Sequence, residues 1–173
     1  MYEIRGVSPE QVDERIASFV TLLQDTVDSG ASVGFVPPLR EDEARRYWAG
    51  VRTALEAGNR ILLAAAEQGE ILGAVQLDLA TMPNARHRAE VMKLMVHRAA
   101  RRRGIGRALM MALEEAARRA NRRLLVLDTR VGDSAEQLYL ALGYARAGVI
   151  PRFALSAAGT FDATLYMYRE LDP

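Results

Sequence analysis

A chain of 173 residues that is half apolar and about a quarter charged, with a formal net charge of +1, fits one packed domain over residues 1–173 and is too weakly basic for general nucleic-acid affinity. It contains no stretch of ~18 uncharged apolar residues for a membrane span, and the absence of cysteine removes disulfides, thiolate metal sites and a cysteine acyl-enzyme. The N-terminal MYEIRGVSPEQ lacks the basic start and apolar core of a signal peptide, so a soluble, cytoplasmic protein without a metal or membrane partner is expected.

Ser8-Pro9-Glu10-Gln11 reads as a capping box with proline at the first helical position. Val12, Ile16, Phe19, Val20 and Leu23 follow at helical spacing, predicting a helix over about 9–28. Two glycines and two prolines make 30–38 a loop. Ala44, Tyr47, Trp48, Val51 and Leu55 give a second amphipathic helix ended by Gly58. The apolar runs 60–67 and 71–80 meet at Gln68-Gly69 as an antiparallel hairpin, and a polar loop around Pro83-Asn84 leads into a strand over 88–97. Gly104-Ile105-Gly106 then opens a helix with Leu109, Leu113, Ala116, Ala117 and Ala120 inside, and with Glu114 to Arg118 and Glu115 to Arg119 as outward i,i+4 pairs. Residues 123–129 form a buried strand, Ser134 to Gln137 cap a short helix ended by Gly143, and strands near 144–150 and 163–171 finish the chain. The order α, α, β, β, β, α, β, α, β, β predicts a mixed α/β fold: an antiparallel part followed by one strand–helix–strand crossover.

The chemistry concentrates at residues 98–107. A helix N-terminus presents unpaired amides and partial positive charge, glycines let backbone approach a phosphate, and Arg98, Arg101, Arg102 and Arg103 add charge-assisted hydrogen bonds. Together these point to a pyrophosphate-type anion. A P-loop is excluded, because Arg107 and Ala108 follow Gly106 where lysine and a hydroxyl residue belong. A dinucleotide fold is the structural rival, since Asp128 ends the next strand about twenty residues on; against it, Leu109 replaces the third glycine and repeated βαβ units are missing.

Arg101-x-x-Gly104-x-Gly106, the preceding strand Glu90 to Val96, and Leu138-Tyr139 with Gly143-Tyr144 resemble the GNAT N-acetyltransferases. GASVGF with Ser32, RAEVMKLMV and LLVLDTRVGDSAEQLY resemble more narrowly the tabtoxin-resistance branch, whose members inactivate a phytotoxin. The resemblance implies a mostly antiparallel mixed sheet of six to seven strands with about four helices, two strands splaying apart around acetyl-CoA. It implies that Leu94, Met95 and Val96 pair with the pantetheine arm, and that Arg101 and the amides of Arg102, Arg103, Gly104, Ile105, Gly106 and Arg107 hold the pyrophosphate. Many members carry asparagine shortly before the alanine matched by Ala135; here Gly132-Asp133-Ser134 stands instead, with Ser134 as the replacement contact. On one face of the strand, alternation groups Glu90, Met92, Leu94 and Val96; on the other, Val91, Lys93 and Met95.

Transfer to an amine needs a base for its proton and a donor for the departing thiolate. Glu90, an acid inside an apolar strand, and Asp128, at the carboxyl end of the buried run 124–127, are the candidate bases; the alternatives are an ion pair to Arg86 or Arg88 and capping of the next turn. The resemblance makes Tyr139, one residue off the core face, the thiolate protonator, and Ser32 with Phe35 candidate substrate contacts. The expected reaction is direct transfer in a ternary complex to a small amine-bearing toxin or amino-acid-like molecule. Protein N-termini or lysines are the second acceptor class, and a non-catalytic acyl-CoA-binding module is the rival of another class. The protein is expected to be a monomer or homodimer.

Overall fold

A computed structural model describes residues 1–172. The elements are β1 (Glu3–Gly6), α1 (Pro9–Glu14), α2 (Ile16–Asp28), α3 (Glu41–Glu56), β2 (Arg60–Glu67), β3 (Glu70–Leu79), β4 (Arg88–Val96), α4 (Ile105–Arg119), β5 (Leu124–Arg130), α5 (Ser134–Ala141), β6 (Ala145–Leu155) and β7 (Phe161–Glu170). The strands form one sheet in the order β1-β2-β3-β4-β5-β7-β6. Every neighbouring pair is antiparallel except β4 and β5, which the crossover through α4 makes parallel. This is the mixed, mostly antiparallel sheet expected, with seven strands and five α-helices.

Strand alternation gives the sheet two apolar faces. Leu63, Ala65, Val75, Leu77, Val91 and Leu125 face α4 and α5 in one core, while Leu62, Ala64, Ile71, Ala74 and Met95 face α1, α2 and α3 in the other. Trp48, fully buried, anchors the second core; its Nε1 donates to the Phe19 carbonyl at 3.0 Å and its ring packs 4.6 Å from that of Phe19.

Four differences from the sequence reading have local causes. The first helix is two, broken at Arg15, whose ψ of 18° leaves the helical path and whose guanidinium donates to the Gly69 carbonyl at 2.9 Å. Strand β1 was not anticipated; its four residues gain their order from antiparallel pairing with β2. Glu114 does not face solvent: it is buried and pairs with Arg169 at 2.7 Å, so only Glu115 meets Arg119 as expected. The cap of α5 is Asp133, whose Oδ1 accepts from the Ser134 amide at 2.8 Å, so Ser134 is the first helical residue.

Candidate active site

The parallel pairing of β4 with β5 is short. It runs only through Arg88 with Leu124, Ala89 with Leu125 and Glu90 with Val126, although β4 continues to Val96. On its other side β4 remains bonded to β3 as far as Val96. The two strands therefore part beyond Glu90, leaving one edge of β4 open to a cleft of about 720 Å³. Residues from Glu90 to Val96 and from Gly104 to Arg107 line this cleft, as do Asp128, Ser134 and Tyr139.

A bulge in β4 shapes the opening. Its register against β3 slips between Ala74 and Gln76, and Lys93 there has a φ of 52°, a left-handed backbone that costs a residue with a Cβ about 1–2 kcal/mol. The extra residue resets the alternation. Val91, Leu94 and Val96 pack toward the α4 core, whereas Met95 belongs to the opposite core, so the strict faces expected from sequence hold only up to the bulge. The Met95 carbonyl lies toward Gly73 of β3, and alternation sends the carbonyls of Leu94 and Val96 to the open edge. That of Val96 accepts from Arg101 Nε at 3.2 Å.

At the far end of the cleft α4 begins. Gly104 caps it in the left-handed region (φ 78°), a conformation that suits glycine, and the first-turn amides of α4 face the cleft where an anion would lie. The arginines divide their duties. Arg101, besides its bond to Val96, donates from Nη2 to Ser29 Oγ at 2.8 Å. Arg103 turns away to Glu67, 3.0 Å from both carboxylate oxygens, and does not line the cleft; Arg102 and Arg107 do. Arg98 holds Asp25 at 2.7 Å, and its own backbone amide donates to the same carboxylate at 2.8 Å. Burial pushes the Asp25 carboxyl up, but the Arg98 amide and guanidinium outweigh it and hold it below the usual carboxylate range. This latch ties α2 to the turn that leads into α4; nothing in the spacing of Asp25 and Arg98, 73 residues apart, announces it.

Glu90 and Asp128 come together. Glu90 pairs with Val126, two residues before Asp128, so both carboxylates lie on one face of the sheet at the point of divergence. Burial first, then the nearby Asp128 and Asp78 carboxylates, raise the Glu90 carboxyl; Arg88 and Lys93 oppose this with less effect. Asp128 accepts a 2.8 Å hydrogen bond from the Thr164 hydroxyl on β7, which fixes one oxygen and leaves the group exposed to the cleft. Tyr139 sits deeper than expected: it is 6% exposed, on the core side of α5 with its ring 5.7 Å from that of Tyr144. Burial above all, then Asp128 and Asp133, pushes its hydroxyl well above the usual phenol range. Ser32 borders the cleft, whereas Phe35 packs edge-on against Tyr47 at 5.4 Å and is not among the lining residues.

The model of the acetyltransferase (GNAT) family matches residues 19–144. The chain belongs to the GNAT acetyltransferase family. A protein of Azospirillum brasilense described as an uncharacterized N-acetyltransferase in the hisH-hisA intergenic region is 36% identical over 108 residues; that match spans 61% of this chain and 62% of the Azospirillum protein. The GNAT fold is shared with yncA of Salmonella typhimurium, solved with its cofactor acetyl-CoA (TM-score 0.81, 19% identity, 100% of this chain and 95% of that one). It is shared likewise with an N-acetyltransferase of Staphylococcus aureus Mu50 (TM-score 0.82, 19% identity, 99% of each chain). Among the described residues no helix is long and apolar enough to cross a membrane.

Proposed function

We propose that the protein is an acetyl-CoA-dependent N-acetyltransferase that moves an acetyl group to a primary amine by direct attack in a ternary complex. The observation that carries this reading is the separation of β4 from β5 beyond Glu90. It puts two carboxylates at one end of a cleft whose other end is a helix N-terminus. The open β4 edge at Leu94 to Val96 suits the amide-bearing arm of coenzyme A, which can add to it as an extra strand would. The α4 amides from Ile105 to Arg107, with Arg102 and Arg107 beside them, suit its pyrophosphate. Bound there, acetyl-CoA supplies an activated acetyl group.

The chain's own residues supply the proton chemistry. Glu90, with its raised affinity for a proton, takes the proton of the acceptor ammonium, and Asp128 holds that ammonium from the adjacent strand. Tyr139, which lines the cleft, is the donor for the thiolate. The acceptor end is bordered by Glu90, Asp128 and Asp162, by Lys93 and Arg130, and by the 30–38 loop; Asp162 is paired with Arg130, which leaves Glu90 and Asp128 as the carboxylates that support a small cationic amine as acceptor. An acceptor screen reading free-thiol release and a mass gain of about 42 Da tests the activity. On any amine that turns over, Glu90→Gln and Asp128→Asn should each cut kcat by ~10²–10⁴ with acetyl-CoA affinity kept. Full activity in both variants would move the base role elsewhere.

A further inference from the structure

The cleft already contains an amine of the protein's own. Lys93 is the only lysine in the sequence, all the other members of its 23 Lys and Arg residues being arginine. The bulge in β4 removes its side chain from the α4 core, where simple alternation after Val91 would send it. Instead it crosses the acceptor side of the cleft to the loop after α2, where Nζ lies 3.2 Å from the position a Cβ on Gly34 would take. A glycine at that contact offers no side chain to grip the ammonium. Charges from three strands face it: Asp128 on β5 and Glu90 on β4 attract it, and Arg60 on β2 repels it.

We propose that Lys93 is an internal acetyl acceptor, its ε-amine taking the acetyl group of acetyl-CoA when no external amine occupies the cleft. The proposal rests on the acetyl-transfer reading above and goes beyond it by naming a modification site. Three features carry it. Lys93 directly precedes Leu94, the first residue of the strand edge that suits the arm of the donor, so a four-carbon stem rotating away from Gly34 sweeps the end of that arm. The two carboxylates offered to an acceptor amine act on this amine too. Burial, the largest influence on the Lys93 ammonium, makes it easier to deprotonate than a surface lysine.

The step balances without a further reagent. Lys93 loses a proton to Glu90 or Asp128, its Nζ forms a bond to the thioester carbonyl carbon, and the carbon–sulfur bond breaks with its electron pair going to sulfur. The products are ε-acetyl-Lys93, coenzyme A as the thiol, and one proton released to solvent. Acetylation removes the positive charge that Lys93 sets against Glu90 and fills the acceptor side, so a chain modified in this way is inhibited until the acetyl group is removed. An external acceptor that binds well competes with Lys93 and protects it.

The test uses the full chain with acetyl-CoA and no acceptor. Binding is read first by thermal shift, then acetylation by intact mass and peptide mapping. The expected result is a gain of about 42 Da mapping to Lys93, approaching one acetyl per chain, with a first-order rate that does not change when the enzyme is diluted at saturating acetyl-CoA. Lys93→Arg should abolish the gain, and Glu90→Gln and Asp128→Asn should slow it. Mapping is needed because the Met1 α-amine, held 2.8 Å from Glu67 outside the cleft, is the other amine that can react. Binding of acetyl-CoA without acetylation of Lys93 above the level in denatured chain would overturn the proposal alone. Acetylation whose rate falls on dilution would overturn it as well, since one molecule would then be modifying another. No binding of acetyl-CoA would instead overturn the donor assignment on which both readings stand.

Discussion

The two glycines at the start of α4, the proposed phosphate site, do different work, and alanine at each should separate them. At Gly104 an added Cβ meets nothing nearer than the Tyr2 hydroxyl at 4.0 Å, so the obstacle is the backbone, whose φ is 78°. That left-handed conformation costs an L-residue about 1–2 kcal/mol, partly offset by the ~0.4–1 kcal/mol that alanine gains by restricting the unfolded chain. The net is a loss of ~1 kcal/mol, or about 2–4 °C in melting temperature for a domain of this size. Gly106 lies inside α4, and a Cβ there stands 3.5 Å from Leu138 Cδ2 and 3.8 Å from Val96 Cγ2, ordinary contact distances. Alanine at 106 should leave the fold unchanged or stabilise it by up to ~1 kcal/mol, since glycine is the poorer helix former. Gly106→Val is different, because methyls beyond Cβ must displace Leu138 and Val96, both of which line the cleft. If that movement costs one charge-assisted hydrogen bond to phosphate, worth about 1.5–3 kcal/mol, acetyl-CoA affinity falls roughly ten- to hundredfold. Thermal melts of the apo proteins and calorimetric titration with acetyl-CoA measure both effects. Equal melting shifts of the same sign for the two alanine variants would refute the division of roles, and unchanged affinity in Gly106→Val would refute the placement of the phosphate site.

The pH profile should report the carboxylates. Because burial and Asp128 raise the Glu90 carboxyl, its base form is lost at a higher pH than for an ordinary carboxylate; kcat should fall as pH drops through that raised value, and Glu90→Gln should remove this limb. The same shift has a stability cost that sets in as pH rises from the unfolded to the folded pKa of Glu90, so Glu90→Gln should melt slightly higher than wild type at neutral pH but not in acid. Asp25→Asn breaks the α2 latch. With Asp25 buried and Arg98 half exposed, the loss should be about 1–2 kcal/mol, less than for a fully buried pair. Because the Asp25 carboxyl is held low, wild-type stability from this pair should persist above the unfolded-state value and disappear as pH falls through the lower, folded one. Salt should screen acetyl-CoA binding, and Arg102→Gln should flatten that dependence more than Arg103→Gln does, because Arg103 is already committed to Glu67; equal slopes would contradict this.

Local signals sufficed for much of the molecule. The Ser8 capping box, the Gln68-Gly69 hairpin and the glycine-led start of α4 depend on contacts within a few residues, and each stands where the sequence places it. Glu90 and Asp128 were legible as site candidates because an acid in an apolar strand needs a partner or a task. The resemblance carried by Arg101-x-x-Gly104-x-Gly106 pointed to the loop before α4 as the candidate anion site. It could not say that Arg103 leaves it, since Glu67, the partner that draws Arg103 aside, lies 36 residues away; Arg101, bonded to Ser29, still lines the cleft.

Tertiary structure decided the rest wherever a long-range partner outweighs a local preference. Glu114 has the spacing of a surface ion pair, yet Arg169 on the last strand draws it into the core. Tyr139 was placed off the core face by helical geometry, but Tyr144 and the sheet beneath α5 give its ring a buried seat. Strand β1 has no pattern of its own and exists through β2. The bulge at Lys93 matters most. The sequence VMKLMV reads as an unbroken strand, and only the register imposed by β3 forces the extra residue. That one residue reverses the alternation beyond it and turns the lone lysine toward the carboxylates, because side-chain direction in a strand has a period of two and any insertion inverts it.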